Sequence, residues 1–170
     1  MNRVFLVDGL RSHIGIRNGI FKKVRPEVLG GAVAKALCER YGLPGPDALI
    51  CGNAVGPGGN LGRLLLLEGG LPERTPAFTI DLQCASGLAA IHMAALSIMA
   101  GEWDAVLAGG AESASLQPVR RYADNDERSH LRNPVFTAAQ FRPGEFGDDA
   151  MLLGAERAAK AAGITRKEAD

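Results

Sequence analysis

"DLQCASGLAAIHMAALSIMAGEWDAVLAGGAES", Asp81 to Ser113, holds the pattern on which the fold turns. From Ser86 to Ala100 nearly every residue is apolar, and Gly101 stands where a helix would stop. "DAVLAGG", Asp104 to Gly110, follows as a short apolar strand closed by paired glycines. Leu88, Ile91, Met93, Leu96 and Ile98 spread round most of the helix circumference, which predicts a central, buried helix rather than one laid on a surface.

Upstream, "RVFLVDG" (Arg3 to Gly9) is an apolar run closed by Asp-Gly and predicts an inner strand. In "RPEVLGGAVAKALCERYG", Pro26 suits a first helical turn. Leu29, Ala32, Val33, Ala36 and Leu37 form a stripe at helical spacing, and Gly42 marks the stop. "DALICGNAV" (Asp47 to Val55) and "PAFTIDL" (Pro76 to Leu82) predict further strands, with a short helix beginning at Asn60 between them. Strands alternating with helices predict a layered α/β core with helices covering the sheet.

Downstream of Leu116 charge rises and the apolar period is lost, as in a solvated loop. A last amphipathic helix is expected from near Glu145, burying Met151, Ala155, Ala158, Ala159 and Ala162 and ending at Gly163. Thr165 and Glu168 have capping-box spacing for another helix, yet no room remains for it to form before Asp170. A cap without its helix implies a chain that stops inside a larger polypeptide. The expected division is a core over residues 1–116, then the start of a loop region and the late helix over 117–170.

The chain's 170 residues are 46% hydrophobic, enough for one substantial core. Nineteen basic residues balance nineteen acidic ones, so no positive field invites nucleic acid, and small-molecule chemistry fits better. Cys38, Cys51 and Cys84 make an odd count without CxxC or His/Cys ligand spacing. That argues against a disulfide framework or a metal site and for a reducing, cytoplasmic compartment. The most apolar stretch, Leu82 to Ala100, contains His92 and has no signal-like flank, so no membrane role is expected.

Cys84 falls at the junction of strand and helix. A sulfur there would sit beside free backbone N–H groups and the positive end of the helix, which favour thiolate over thiol. Ala85 and Ser86 crowd the junction little, Gly87 would permit close approach, and Ser86 could simply cap the helix. The alternative is a small buried hydrophobe. His92 lies eight residues on, about 12 Å by helical rise, and cannot serve Cys84 as a base through that helix. It fits a histidine packed in the core or at a subunit face. His13 and His130 lie in expected loops, and Cys38 fits a structural or exposed thiol.

"CASGLAAIHMAALSIMAGEWDAVLAGGAES" resembles the reactive-cysteine helix and Ala-Gly-Gly strand end of the thiolase family. "RSHIGIRNG", "VRPEVLGGAVAKAL", "ICGNAV" and "GAERAAKAAGITRKEAD" agree more weakly, in the expected order. The resemblance runs along essentially the whole chain and corresponds to the N-terminal portion of acetyl-CoA acetyltransferases and 3-ketoacyl-CoA thiolases. It implies a layered α/β fold, a mixed sheet flanked by helices, with the second thiolase-like half absent from this chain.

By that resemblance Cys84 accepts an acyl group from a thioester. The acyl group then passes to a carbanion derived from acetyl-CoA, or in the other direction to coenzyme A. Acyl-CoA and coenzyme A are implied as substrates in fatty acid metabolism, with no metal or other cofactor. The base histidines and second cysteine of relatives lie in the missing half. A C-terminal half or complementary subunit is therefore needed, a homodimer or homotetramer is expected when complete, and the isolated chain should be inactive. Two alternatives remain open, a ketoacyl synthase using an acyl-carrier protein and a non-catalytic scaffold or regulatory partner.

This chain departs from the family pattern at Asp81, where many relatives have asparagine, and at "ESAS", where methionine is usual. Asp81 could alter thiolate stability or substrate choice, or only hold a structural hydrogen bond. Arg120, Arg121, Arg128 and Arg132, on the excursion that helps surround coenzyme A in relatives, could meet phosphate or simply be solvated. No coenzyme-binding residue is assigned.

Overall fold

The computed structural model describes residues 2–56, 58–130, 134–137 and 149–170. The chain forms two compact units, Met1–Arg120 and Arg121–Asp170.

In the first unit, helix α1 (Pro26–Arg40) precedes strand β1 (Ala48–Gly52), helix α2 (Leu61–Glu68), strand β2 (Ala77–Ile80), helix α3 (Ser86–Ala100) and strand β3 (Val106–Gly110). The strands lie in the order β2-β1-β3 and pair in parallel throughout. This is the layered α/β arrangement expected, although the mixed character is not found in this sheet. β1 is central and buried at all five positions, as its unbroken "ALICG" requires.

Side-chain alternation along β1 divides the core. Leu49 and Cys51 pack with Ala34, Cys38, Leu61, Leu65 and Leu66 of α1 and α2. Ile50 packs with Ala90 and Ala94 of α3 on the other face. The chain moves one way across the sheet from β1 to β2 and back from β2 to β3. Right-handed crossovers then put α2 and α3 on opposite faces. Leu66 has no exposed surface. Leu66→Ala is expected to cost about 2–5 kcal/mol through lost transfer energy and a residual cavity. Urea unfolding of the full-length protein would measure it.

Local chemistry explains the helix limits. Asn60 Oδ1 accepts from Arg63 N at 3.1 Å, while Asn60 Nδ2 donates to Ala77 O at 2.7 Å, so one side chain caps α2 and anchors it to β2. Gly101 ends α3 in the left-handed conformation, φ 83°.

Four expectations about packing change. Arg3–Gly9 forms no strand: Phe5, Leu6 and Val7 are exposed. An apolar run becomes a strand only where a sheet edge completes its hydrogen-bond ladder, and here Asn2 N bonds to Met99 O of α3 instead. Asp8 is tied to Arg40 and Tyr41, and the Arg40 hydrogen bond first of all holds its carboxyl below the usual value.

The buried face of α1 is Glu27, Gly31, Ala34 and Cys38 rather than the stripe from Leu29 to Leu37. A Cβ on Gly31 would meet Gly69 N at 2.8 Å and Leu65 O at 2.9 Å, so α2 approaches on the side where α1 lacks a side chain.

α3 buries only Ser86, Ala90 and Ala94. Leu88, Ile91 and Leu96 are exposed on the face turned from the sheet, so the helix is not buried all round. The segment Gln83–Ala100 is long and apolar enough to cross a membrane by length and composition alone.

From the boundary at Arg120 onward, strands β4 (Arg120–Arg121) and β5 (Val135–Phe136) form a two-stranded sheet, and a 3-10 turn spans Glu127–His130. Helix α4 (Ala150–Ala162) ends at Gly163, φ 69°, and buries none of its residues; Met151 is 65% exposed. Leu152 and Leu153 are exposed as well, and the start expected near Glu145 lies outside the described residues. The Thr165–Glu168 capping box forms in both directions and, against the expectation that no room remained, starts a single helical turn, α5 (Arg166–Ala169).

Candidate active site

Because the sheet is parallel and Gly52 pairs with both Ile80 and Gly110, the carboxyl ends of all three strands meet on one edge. In open α/β sheets ligands bind beyond that edge, where successive connections leave in opposite directions. Cys84 lies there, between the end of β2 and the start of α3, and it is exposed. Within these 170 residues Cys84 is thus not packed as a small buried hydrophobe. The other two cysteines are buried.

The turn carrying Cys84 is built by its neighbours. Asp81 Oδ1 accepts from Gln83 N at 2.9 Å. This is the structural hydrogen bond left open for Asp81 by the sequence. Gln83 has φ 54°, one of two non-glycine residues with positive φ in the described chain. For an L-residue this conformation costs roughly 1–2 kcal/mol and persists where surrounding contacts enforce it.

Ser86 does not cap α3. Its Oγ accepts from Leu82 N at 2.8 Å and donates to Gln83 O at 2.6 Å, reaching back across the cysteine. The backbone N–H groups of Ala85 and Ser86 donate to Leu82 O and Gln83 O, so these two donors, expected free beside the sulfur, are taken by the turn. Asp81, Gln83 and Ser86 therefore shape the site. Only Asp81 and Ser86 carried any sequence signal.

Glycine supplies the close approach, at a position other than the one expected. A Cβ on Gly87 would meet nothing within 4 Å, whereas one on Gly52 would lie 2.5 Å from both Ser86 C and Gly87 N. The end of β1 thus carries the start of α3 directly on bare backbone. Beyond β3, Glu112 accepts from Asn53 Nδ2 and from the N–H groups of Ala54 and Val55, while Arg120 Nη2 donates to Val55 O and Gly56 O. One anion and one cation hold the loop after β1 from its two sides. Arg120 therefore bonds protein carbonyls; Arg132 lies outside the described residues.

His92 is exposed on α3, two turns beyond Cys84, rather than packed in the core. A cavity of about 250 Å³ lies elsewhere, lined by Arg11, His13, Phe21, Glu112 and Ser115 among others, and Cys84 does not open into it. Among the described residues no three His, Cys, Asp or Glu side chains gather as metal ligands.

Burial pushes the Cys51 thiol up to about 11, with the Glu112 charge adding to the shift. The unfolded thiol ionises from about pH 9 while the folded one keeps its proton to about pH 11, so the folded state binds more protons in that window. Stability should fall there as pH rises, by on the order of 2–3 kcal/mol. Urea unfolding across the window, with Cys51→Ala losing this alkaline slope, checks it.

Comparison with known proteins identifies a family and a fold. Residues 4–170 match the family described as "Thiolase, N-terminal domain". VraB of Staphylococcus aureus strain MRSA252 is 35% identical over all of this chain and 45% of its own length. YhfS of Bacillus subtilis strain 168 is 37% identical over all of this chain and 42% of its own. Both are named as candidate acetyl-CoA C-acetyltransferases. The crystal structure of the Bacillus anthracis acetyl-CoA acetyltransferase superposes with a TM-score of 0.70 at 28% identity, over 89% of this chain and 40% of that one. The chain thus spans less than half the length of these relatives.

Proposed function

The chain belongs to the thiolase family as its N-terminal domain, and from that premise we propose that Cys84 is the acyl-accepting nucleophile of a thiolase-type acyltransferase. The observation that carries this reading is the exposed thiol at the carboxyl edge of a parallel sheet, on a turn whose neighbours are hydrogen-bonded around it.

In the proposed cycle the Cys84 thiolate attacks the carbonyl carbon of an acyl-CoA and a tetrahedral oxyanion forms. The carbon–sulfur bond to coenzyme A then breaks, leaving the acyl group on Cys84 and coenzyme A as a thiolate that takes a proton. A carbanion derived from acetyl-CoA next displaces Sγ to make a 3-ketoacyl-CoA. In the cleaving direction the thiolate instead attacks the 3-keto carbonyl of a 3-ketoacyl-CoA and the carbon–carbon bond breaks. Acetyl-CoA leaves as a carbanion that takes a proton, and coenzyme A then displaces Sγ to carry off the shortened acyl group. Each step needs a base and hydrogen-bond donors for the oxyanion. We assign these to the part of the full-length protein outside these 170 residues, and a homodimer or homotetramer to the complete enzyme. The acetyl-CoA in the relatives' names supports coenzyme A rather than a carrier protein as the acyl donor.

The test is to incubate the full-length protein with acetyl-CoA, quench in acid and map the mass gain. One acetyl group per chain is expected on the peptide bearing Cys84, discharged by added coenzyme A. A folded full-length protein that gains none, or gains it on another residue, overturns the reading; a protein that gains none but binds a macromolecular partner would be the scaffold.

A further inference from the structure

Resting on the reading of Cys84 as the acyl acceptor, we propose that Ser86 is its positioning residue. Its hydroxyl holds Gln83 in the left-handed conformation and so fixes the direction in which the thiol leaves the start of α3.

Ser86 is 4% exposed although it lies two residues from the exposed Cys84. It is buried at the turn, where Gly52 of β1 comes close to the Ser86 and Gly87 backbone. From there one oxygen serves both sides of Gln83, accepting the Leu82 N–H at 2.8 Å and donating to the Gln83 carbonyl at 2.6 Å. Asp81 adds a third restraint on the Gln83 N–H at 2.9 Å.

Gln83 has no side-chain reason to sit at φ 54°, and freed of these bonds it should return to a right-handed or extended conformation. Because Gln83 immediately precedes Cys84, that rotation would swing the cysteine Cα relative to a helix fixed on the sheet by Ala90 and Ala94. Acyl transfer needs the sulfur aligned with a bound carbonyl and would register such a swing. A small alkylating reagent, free to approach from any side, would register it much less.

Three variants of the full-length protein test this. Ser86→Ala is expected to slow acetylation of Cys84 by ~10- to 100-fold, the range associated with misplacing a reacting group by up to 1 Å. Alkylation of Cys84 by iodoacetamide should change by less than ~3-fold, since it needs no bound geometry. Gln83→Gly removes the strain of the turn by itself, because glycine takes positive φ freely, and its rate is the reference for the double variant. Added to Ser86→Ala, it should recover most of the lost rate.

Equal loss in acetylation and alkylation, acetylation unchanged in Ser86→Ala, or no recovery in the double variant would each overturn the proposal. A crystal structure of the Ser86→Ala protein supplies a readout independent of the chemistry: Gln83 should have left the left-handed region, and an unchanged φ refutes the positioning role. If the unsubstituted protein takes no acetyl group, the acyl-acceptor reading fails, and this structure still decides whether Ser86 sets the turn.

Discussion

Replacing Cys84 with alanine is expected to abolish acetyl transfer from acetyl-CoA to the full-length protein while leaving its stability within about 0.5 kcal/mol. The stability half follows from exposure: the thiol fills no core space, so its removal opens no cavity. The chemical half follows from position: of the other cysteines in these 170 residues, Cys38 and Cys51 are buried among α1, α2 and β1, on the opposite face of the sheet from α3, and neither can take its place. Loss of turnover should be on the order of 10⁶-fold, the scale seen when a covalent nucleophile is deleted. Cys84→Ser should fare little better, since a hydroxyl needs a base to become nucleophilic where a thiol ionises readily. Turnover and intact mass of both variants, with urea unfolding as the control, measure this. Turnover persisting in Cys84→Ala would remove Cys84 from the mechanism.

Gly52→Ala should be the most damaging single methyl group in the first unit. The added Cβ would fall 2.5 Å from Ser86 C and Gly87 N and 2.7 Å from Ser86 O, all of them backbone atoms that cannot rotate aside. Either β1 or the start of α3 must retreat. The cost should be about 1–3 kcal/mol, as for overpacked cores. Acetylation of Cys84 should fall by up to ~10²-fold, because the displaced segment carries the nucleophile's turn. Gly87→Ala is the matched control: nothing lies within 4 Å of its added Cβ, and alanine in a helix is favoured by about 1 kcal/mol over glycine. It should leave the protein as stable or more so. Loss of acetylation in that variant alone would indicate that substrate passes over Gly87.

The sequence announced the elements whose cause is local. The apolar run and Gly101 located α3 at both ends, Asn60 marked the start of α2, and the Thr165 and Glu168 pair formed the capping box it spelled. Cys84 was placed correctly because strand and helix flank it closely. What could not be read depends on partners far along the chain. Whether Arg3–Gly9 becomes a strand depends on a sheet edge to receive it, and the inward face of α1 depends on where Gly31 lets α2 settle. A left-handed glutamine leaves no trace in composition. The glycine ending "ALICG" did carry a signal, since glycine in a strand often marks close backbone approach. Only the fold identifies the start of α3 as what approaches.

The outward side of α3 has a practical consequence. Leu88, Ile91 and Leu96 together offer water an oily ridge, with His92 as its polar interruption. A laboratory that expresses these 170 residues by themselves should expect a preparation that clumps on concentration, takes up hydrophobic dyes and improves in mild detergent. Exchanging the three ridge residues for glutamate or lysine should yield a tractable domain for spectroscopy, because none of them reaches the sheet.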